Sequence, residues 1–120
     1  MNKLLSGRRI LVVDDEMLVR ITIEDVLADL GCESVIAAAT TEMAVALVDE
    51  HVFDAAVLDI NLNGTSSRIV ADALAAAGVP FVIATGNRGE VWEGFRDRAV
   101  LRKPFKYDQL VESLASLLPR

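Results

Sequence analysis

Two rhythms of apolar and polar positions alternate along this chain. Short, nearly unbroken apolar runs fall at 9–13, 34–38, 55–58, 81–84 and 99–101. Runs of that length predict strands buried on both faces, the kind that fill parallel sheets. Between them, apolar residues recur at helical spacing. Over about 17–30, Val19, Ile23, Val26, Leu27 and Leu30 share one helical face, and Gly31 supplies a C-terminal stop. A second helix is predicted over 41–50, with Ala44, Leu47 and Val48 inward. A third spans about 67–77, ended by Gly78 and Pro80, and the last spans about 107–118, with Leu110, Leu114, Leu117 and Leu118 inward. The stretch 86–98 departs from this rhythm, holding three glycines and six charged residues. Each interior glycine costs a helix about 1 kcal/mol relative to alanine, so the fourth helix is expected to be short or irregular. Strands alternating with helices predict an α/β sandwich, helices on both faces of a five-stranded parallel sheet joined by right-handed crossovers.

The chain has 120 residues, 52% of them hydrophobic, which suits a single domain over 1–120 with a well-buried core. No apolar stretch reaches the roughly 18 residues of a membrane span, and the first seven residues are too short and weakly apolar for a secretory signal. Cys32 is the only cysteine, so no internal disulfide is possible, and a cytoplasmic location is expected. The net charge of −6 argues against direct nucleic-acid binding, which needs a basic footprint.

The chemistry lies where the strands end. Ile10-Leu11-Val12-Val13 runs into Asp14-Asp15, Ala55-Ala56-Val57-Leu58 into Asp59, and Val100-Leu101-Arg102 into Lys103-Pro104. In a parallel sheet all carboxyl ends lie along one edge, and ligands bind there. Asp14, Asp15, Asp59 and Lys103 are therefore expected in one crevice. Three carboxylates in one crevice repel unless a cation or proton offsets them, and a hard divalent metal with oxygen ligands fits best.

Val12-Val13-Asp14-Asp15-Glu16, then Asp59, Thr85 and Lys103-Pro104-Phe105, resemble the receiver domain of bacterial two-component response regulators, in the right order over nearly the whole chain. The resemblance implies a flavodoxin-like sheet of order 2-1-3-4-5 and a phosphoryl group accepted by Asp59. It implies Mg²⁺ held by Asp15, Asp59 and the Asn61 backbone carbonyl, with Asp14 acting through a metal-bound water. It also implies that Lys103, the Thr85 hydroxyl and the Gly86 N–H bind phosphoryl oxygens, and that a cis Lys103–Pro104 bond aims the lysine. An aspartate carboxylate is a competent nucleophile toward phosphorus, and phosphoryl transfer needs charge neutralisation more than covalent machinery.

The implied donor is a histidine kinase or histidine phosphotransfer protein, and the implied output a contact with a downstream protein, the chain being a monomer or weak homodimer. Pro80-Phe81-Val82-Ile83-Ala84-Thr85-Gly86-Asn87 resembles the Pro-Phe-x-Phe-Ala-Thr-Gly-Tyr signature of mostly single-domain receivers, with Ile83 and Asn87 as departures. Val100 stands where receivers carry a switching Phe or Tyr, so output is expected through 86–98 instead. Asn61 and Asn87 stand where receivers tune the attack of water on the acyl phosphate.

Other readings of the same residues stay open. Asp14-Asp15 suits a helix N-cap, Asp59 a turn with Asn61 and Gly64, and Lys103 the surface before a helix-starting proline. His51 suits a helix C-terminus, Cys32 a small buried apolar site, and Trp92 with Phe95 either semi-buried anchors or partner contacts. As a whole, the chain reads either as a phosphoacceptor that catalyses only its own phosphorylation and dephosphorylation, or as an interaction module that keeps the pocket without using it. A phosphohydrolase with an aspartyl intermediate usually has an acid two residues past the nucleophile, where Asn61 stands. A nucleotide-binding domain would need a Gly-rich loop where Asp14-Asp15-Glu16 stands.

Overall fold

The computed structural model describes residues 5–86, 91–95 and 98–118. Its elements follow the chain as β1 (Arg9–Val13), α1 (Met17–Asp29), β2 (Ser34–Ala38), α2 (Thr41–Glu50), β3 (Ala55–Asp59), β4 (Asn61–Leu62), β5 (Thr65–Ser66), α3 (Arg68–Ala76), β6 (Phe81–Thr85), β7 (Val100–Arg102) and α4 (Tyr107–Leu117). The main sheet has the order β2-β1-β3-β6-β7, all pairs parallel. Those five strands are the five predicted ones, in the predicted order 2-1-3-4-5.

Alternation along each strand sorts side chains between two cores. Leu11, Val13, Ala56, Leu58, Phe81 and Ile83 pack on one face with Ala44 and Val48 of α2, Val70 and Leu74 of α3, and Phe95. Ile10, Val12, Ala55, Val57 and Val82 pack on the other with Ile23 and Leu27 of α1 and Leu110 and Leu114 of α4. The central strands β3 and β6 are buried along their whole length. This explains why they read as continuous apolar runs. No described helix is long and apolar enough to cross a membrane.

Three features differ from the sequence reading. First, β3 and β6 extend one residue further than predicted, to Asp59 and Thr85, and β7 covers 100–102 instead of 99–101. The sheet register carries these polar residues along: Asp59 pairs with Ala84, and Thr85 with Arg102. Second, β4 and β5 form a two-residue antiparallel hairpin that was not predicted. Its tip, Asn63-Gly64, has φ values of 54° and 81°, the pair of positive angles that a type I′ turn requires. Third, the described part of the fourth crossover contains no helix: residues 91–95 hold a turn. The rest of that expectation, at 87–90 and 96–97, lies outside the described residues, as does Asn87.

Within that crossover Phe95 is buried and lies 5.9 Å from the Phe81 ring, and Trp92 meets Phe95 edge-on at 6.0 Å. Both are anchors on the α2/α3 face. Arg98 lies over the Phe81 and Phe95 rings, its guanidinium 4.8 Å and 5.8 Å from their centres.

Candidate functional site

The strand order reverses between β1 and β3, and parallel strands open a crevice at their carboxyl ends at such a switch point. Asp14 and Asp15 directly follow β1, and Asp59 closes β3. Thr85 closes β6, and Lys103 directly follows β7. The Asp14 N–H donates to the Ala38 carbonyl and the Lys103 N–H to the Thr85 carbonyl, so the ladder's last bonds fix where these side chains start.

The Lys103 ammonium sits between two carboxylates, 2.9 Å from Asp14 Oδ2 and 3.0 Å from Asp59 Oδ2, with Glu16 Oε1 further off at 3.8 Å. Asp14 and Asp59 are buried, 3% and 7% exposed, whereas Asp15 is half-buried toward solvent. Burial lifts the Asp59 carboxyl above the usual aspartate range, although the Lys103 hydrogen bond and charge pull the other way. For Lys103, burial favours the neutral amine. Its hydrogen bonds to Asp14 and Asp59 and their charges outweigh this and hold the ammonium above the usual lysine range.

Oxygen atoms of Asp14, Asp15 and Asp59 lie within 4.8 Å of one another. One ammonium against three carboxylates leaves a formal excess of two negative charges in the crevice. The donor set is oxygen only. Both facts fit a hard divalent cation of the Mg²⁺ kind and disfavour a soft, thiolate-seeking metal.

Sequence reasoning named Asn61 but missed Ser67, Arg20 and Asn63, which also fix the backbone here. The Ser67 hydroxyl, fully buried, donates to the Asp59 carbonyl and pins the chain just after the carboxylate. The Arg20 guanidinium donates to the Asp14 carbonyl at 2.8 Å. Asn61 N–H donates to Asp59 Oδ1 at 3.3 Å, and Asn63 N–H to Asp15 Oδ2 at 3.0 Å. The Asn63-Gly64 dipeptide is a known hairpin signal that would have placed a turn there. Ser67 and Arg20 carry no such local signal, because their partners are set by chain packing.

The remaining expected residues are also at this edge. Thr85 is buried at the end of β6, and Gly86 follows it, exposed, with open space where a β-carbon would stand. The Lys103–Pro104 bond is cis. Cys32 is half-buried, and burial raises its thiol. His51 follows α2, its ring tilted 47° to that of Phe53 at 5.9 Å.

A doubly wound parallel sheet with an acidic crevice and a lysine at its switch point defines a flavodoxin-like α/β protein of the receiver type. The chain belongs to the response regulator receiver domain family, whose profile matches residues 10–115. Such domains are signalling modules of two-component systems and interact with histidine kinases or phosphotransfer proteins. Among solved structures, it is similar to SdrG from Sphingomonas melonis Fr1 (42% identity over 95% of this chain and 97% of that one, TM-score 0.78). It is also similar to the receiver domain of a sensor histidine kinase from Pseudomonas aeruginosa PAO1, solved with a magnesium ion coordinated in the active site cleft. That match has 26% identity over 93% and 98% of the two chains, with a TM-score of 0.77. TrrA from Thermotoga maritima, in complex with magnesium and beryllofluoride, matches at 27% identity over 92% and 99%, with a TM-score of 0.80. No curated protein matches the chain.

Proposed function

We propose that this protein is a phosphoacceptor receiver, taking a phosphoryl group from a partner histidine onto Asp59 in the presence of Mg²⁺ and signalling through protein contacts. The observation that carries the reading is the bridge of Lys103 between Asp14 and Asp59 beside the outer carboxylate of Asp15. Mg²⁺, held by Asp15, Asp59 and the Asn61 carbonyl with Asp14 in support, would neutralise charge on the transferring group. The side chains of the protein itself do the rest.

Asp59 Oδ2 is held by Lys103, whereas Oδ1 takes a long bond from Asn61 N–H. Oδ1 is thus the less encumbered oxygen for attack on phosphorus, forming the new O–P bond as the P–N bond to the donor histidine breaks. The Lys103 ammonium, already placed, turns toward a phosphoryl oxygen as a point charge. The Thr85 hydroxyl and the Gly86 N–H bind another oxygen, and the open space at Gly86 leaves that approach clear. Asn61 stands where an attacking water is oriented during hydrolysis of the acyl phosphate.

The Pro80-to-Gly86 run supports a place in the single-domain subfamily, the lone cysteine supports action in a reducing cytoplasm, and the family resemblance supports a bacterial one. The test is phosphorylation by acetyl phosphate with Mg²⁺, read by intact mass. One phosphoryl mass is expected on the native chain and none on Asp59→Asn. A native chain that stays unmodified would favour the interaction module that keeps its pocket unused, and a variant that still gains the mass would move the acceptor elsewhere.

A further inference from the structure

The acidic crevice and the fourth crossover are joined by a route that avoids Thr85. Asn63, at the tip of the β4–β5 hairpin, donates its N–H to Asp15 Oδ2 at 3.0 Å. Asn61, at the base of the same hairpin, donates its N–H to Asp59 Oδ1 and accepts the Gly64 N–H on its own amide oxygen at 2.7 Å. The hairpin is thus tied at both ends to the carboxylates. On the other strand, Ser66 pairs with Asn61 across the ladder. Its hydroxyl oxygen accepts the Trp92 indole N–H at 3.1 Å. The same oxygen also accepts the Arg68 N–H at 3.2 Å, at the start of α3. Trp92 in turn lies edge-on to Phe95, which is buried against Phe81 of β6.

We infer that the β4–β5 hairpin couples occupancy of the acidic site to Trp92, so that a divalent cation on Asp15 and Asp59 shifts the Trp92–Ser66 contact before any phosphoryl group arrives. A cation on Asp15 competes with the Asn63 N–H for that carboxylate, at the tip of the hairpin. The hairpin has only two ladder pairs and a two-residue tip, so it moves as one small body. Motion at Asn63 is passed to Ser66 across the ladder, and Ser66 carries the indole. By linkage, whatever the cation does to the Trp92–Ser66 contact, breaking that contact does to cation affinity.

The inference rests on the proposed metal site. The test separates the two by measuring binding and response independently, with Mg²⁺ as the only added ligand. Isothermal calorimetry reads binding. Trp92 emission and its single indole N–H resonance read the response, since the chain holds one tryptophan. Expected for the native chain is a saturable emission change and an indole shift, both with the calorimetric midpoint. In Ser66→Ala, Mg²⁺ still binds, the emission change falls below half its native size, and the dissociation constant moves by about five-fold or less, at the low end of ordinary coupling. Heat of binding without a Trp92 response in the native chain overturns the coupling and leaves the metal site standing. An equal response in Ser66→Ala overturns the hairpin route. Absence of calorimetric binding overturns the metal site and the coupling with it.

Discussion

The Lys103 ammonium lies 3.0 Å from Asp59 Oδ2, between residues 44 positions apart in sequence. Both are largely withdrawn from water, with side-chain exposures of 19% and 9%. A pair so placed gains from its Coulomb attraction but loses the hydration of both charges. Two further carboxylates beside it leave the crevice short of positive charge, and this imbalance underlies the behaviour expected of the protein.

Removing the ammonium should expose that imbalance. Lys103→Met is expected to lower stability by about 1–3 kcal/mol without divalent metal, the usual cost of losing a hydrogen bond to a charged group. Millimolar Mg²⁺ should recover a large part of it. Urea unfolding of native and variant chains, with and without Mg²⁺, measures both. A variant as stable as the native chain would mean that Asp14 and Asp59 do not need Lys103.

Native Mg²⁺ binding should raise the melting temperature by mass action, since the unfolded chain gathers no such cluster. Asp15→Ala should reduce the shift sharply while leaving the metal-free melting temperature nearly unchanged, because loss of the bond from the Asn63 N–H is offset by relief of repulsion with Asp14 and Asp59. A melting temperature flat across millimolar Mg²⁺ would count against the site.

Because burial raises Asp59 above the ordinary aspartate range, the folded state holds its proton more tightly than the unfolded chain does. That contribution is fully present below the unfolded aspartate value, about 3.9, and is lost as pH rises through the folded value. At neutral pH the ionised Asp59 therefore costs stability. Asp59→Asn should melt above the native chain at pH 7 without metal, and the gap should close as pH falls toward 4. Thermal melts over that pH range decide it, and a gap of opposite sign would refute the argument. Lys103, also raised, contributes stability that is lost only as pH rises through its folded value, above the ordinary lysine range, so it does not confuse this window.

Ser67→Ala should act on site and fold together. The hydroxyl is fully buried and holds the Asp59 carbonyl, so its loss leaves a buried acceptor unsatisfied, at about 1–3 kcal/mol. Phosphorylation by acetyl phosphate should also slow, because the backbone carrying Asp59 and Asn61 is no longer pinned. Single-turnover mass measurements at a temperature where both chains are folded would show it. Equal rates would confine Ser67 to a structural role.

Much of this protein was legible before any coordinates. The double burial of β1, β3 and β6 writes itself as unbroken apolar runs, and the polar residue that stops each run marks the sheet's carboxyl edge. Asp14, Asp15, Asp59 and Lys103 were placed by that rule alone, since a parallel sheet has one carboxyl edge, whereas Thr85 was placed by the resemblance. The helix faces followed equally well, because Ile23, Leu27, Leu110 and Leu114 repeat with the helical turn and a repeat is a local property. The hairpin at 61–66 was written locally too, in Asn63-Gly64, but two ladder pairs make too short a pattern to stand out. Ser67 on the Asp59 carbonyl, Arg20 on the Asp14 carbonyl and Trp92 on Ser66 were beyond reach. Each joins a side chain to a partner chosen by packing between elements, and a hydroxyl, guanidinium or indole has no periodicity to betray which oxygen it will meet. The two buried carboxylates sharing one lysine belong to the same class: strand ends bring the residues to one edge, but only the packed sheet sets how much water remains, and that amount lifts Asp59 above the ordinary aspartate range.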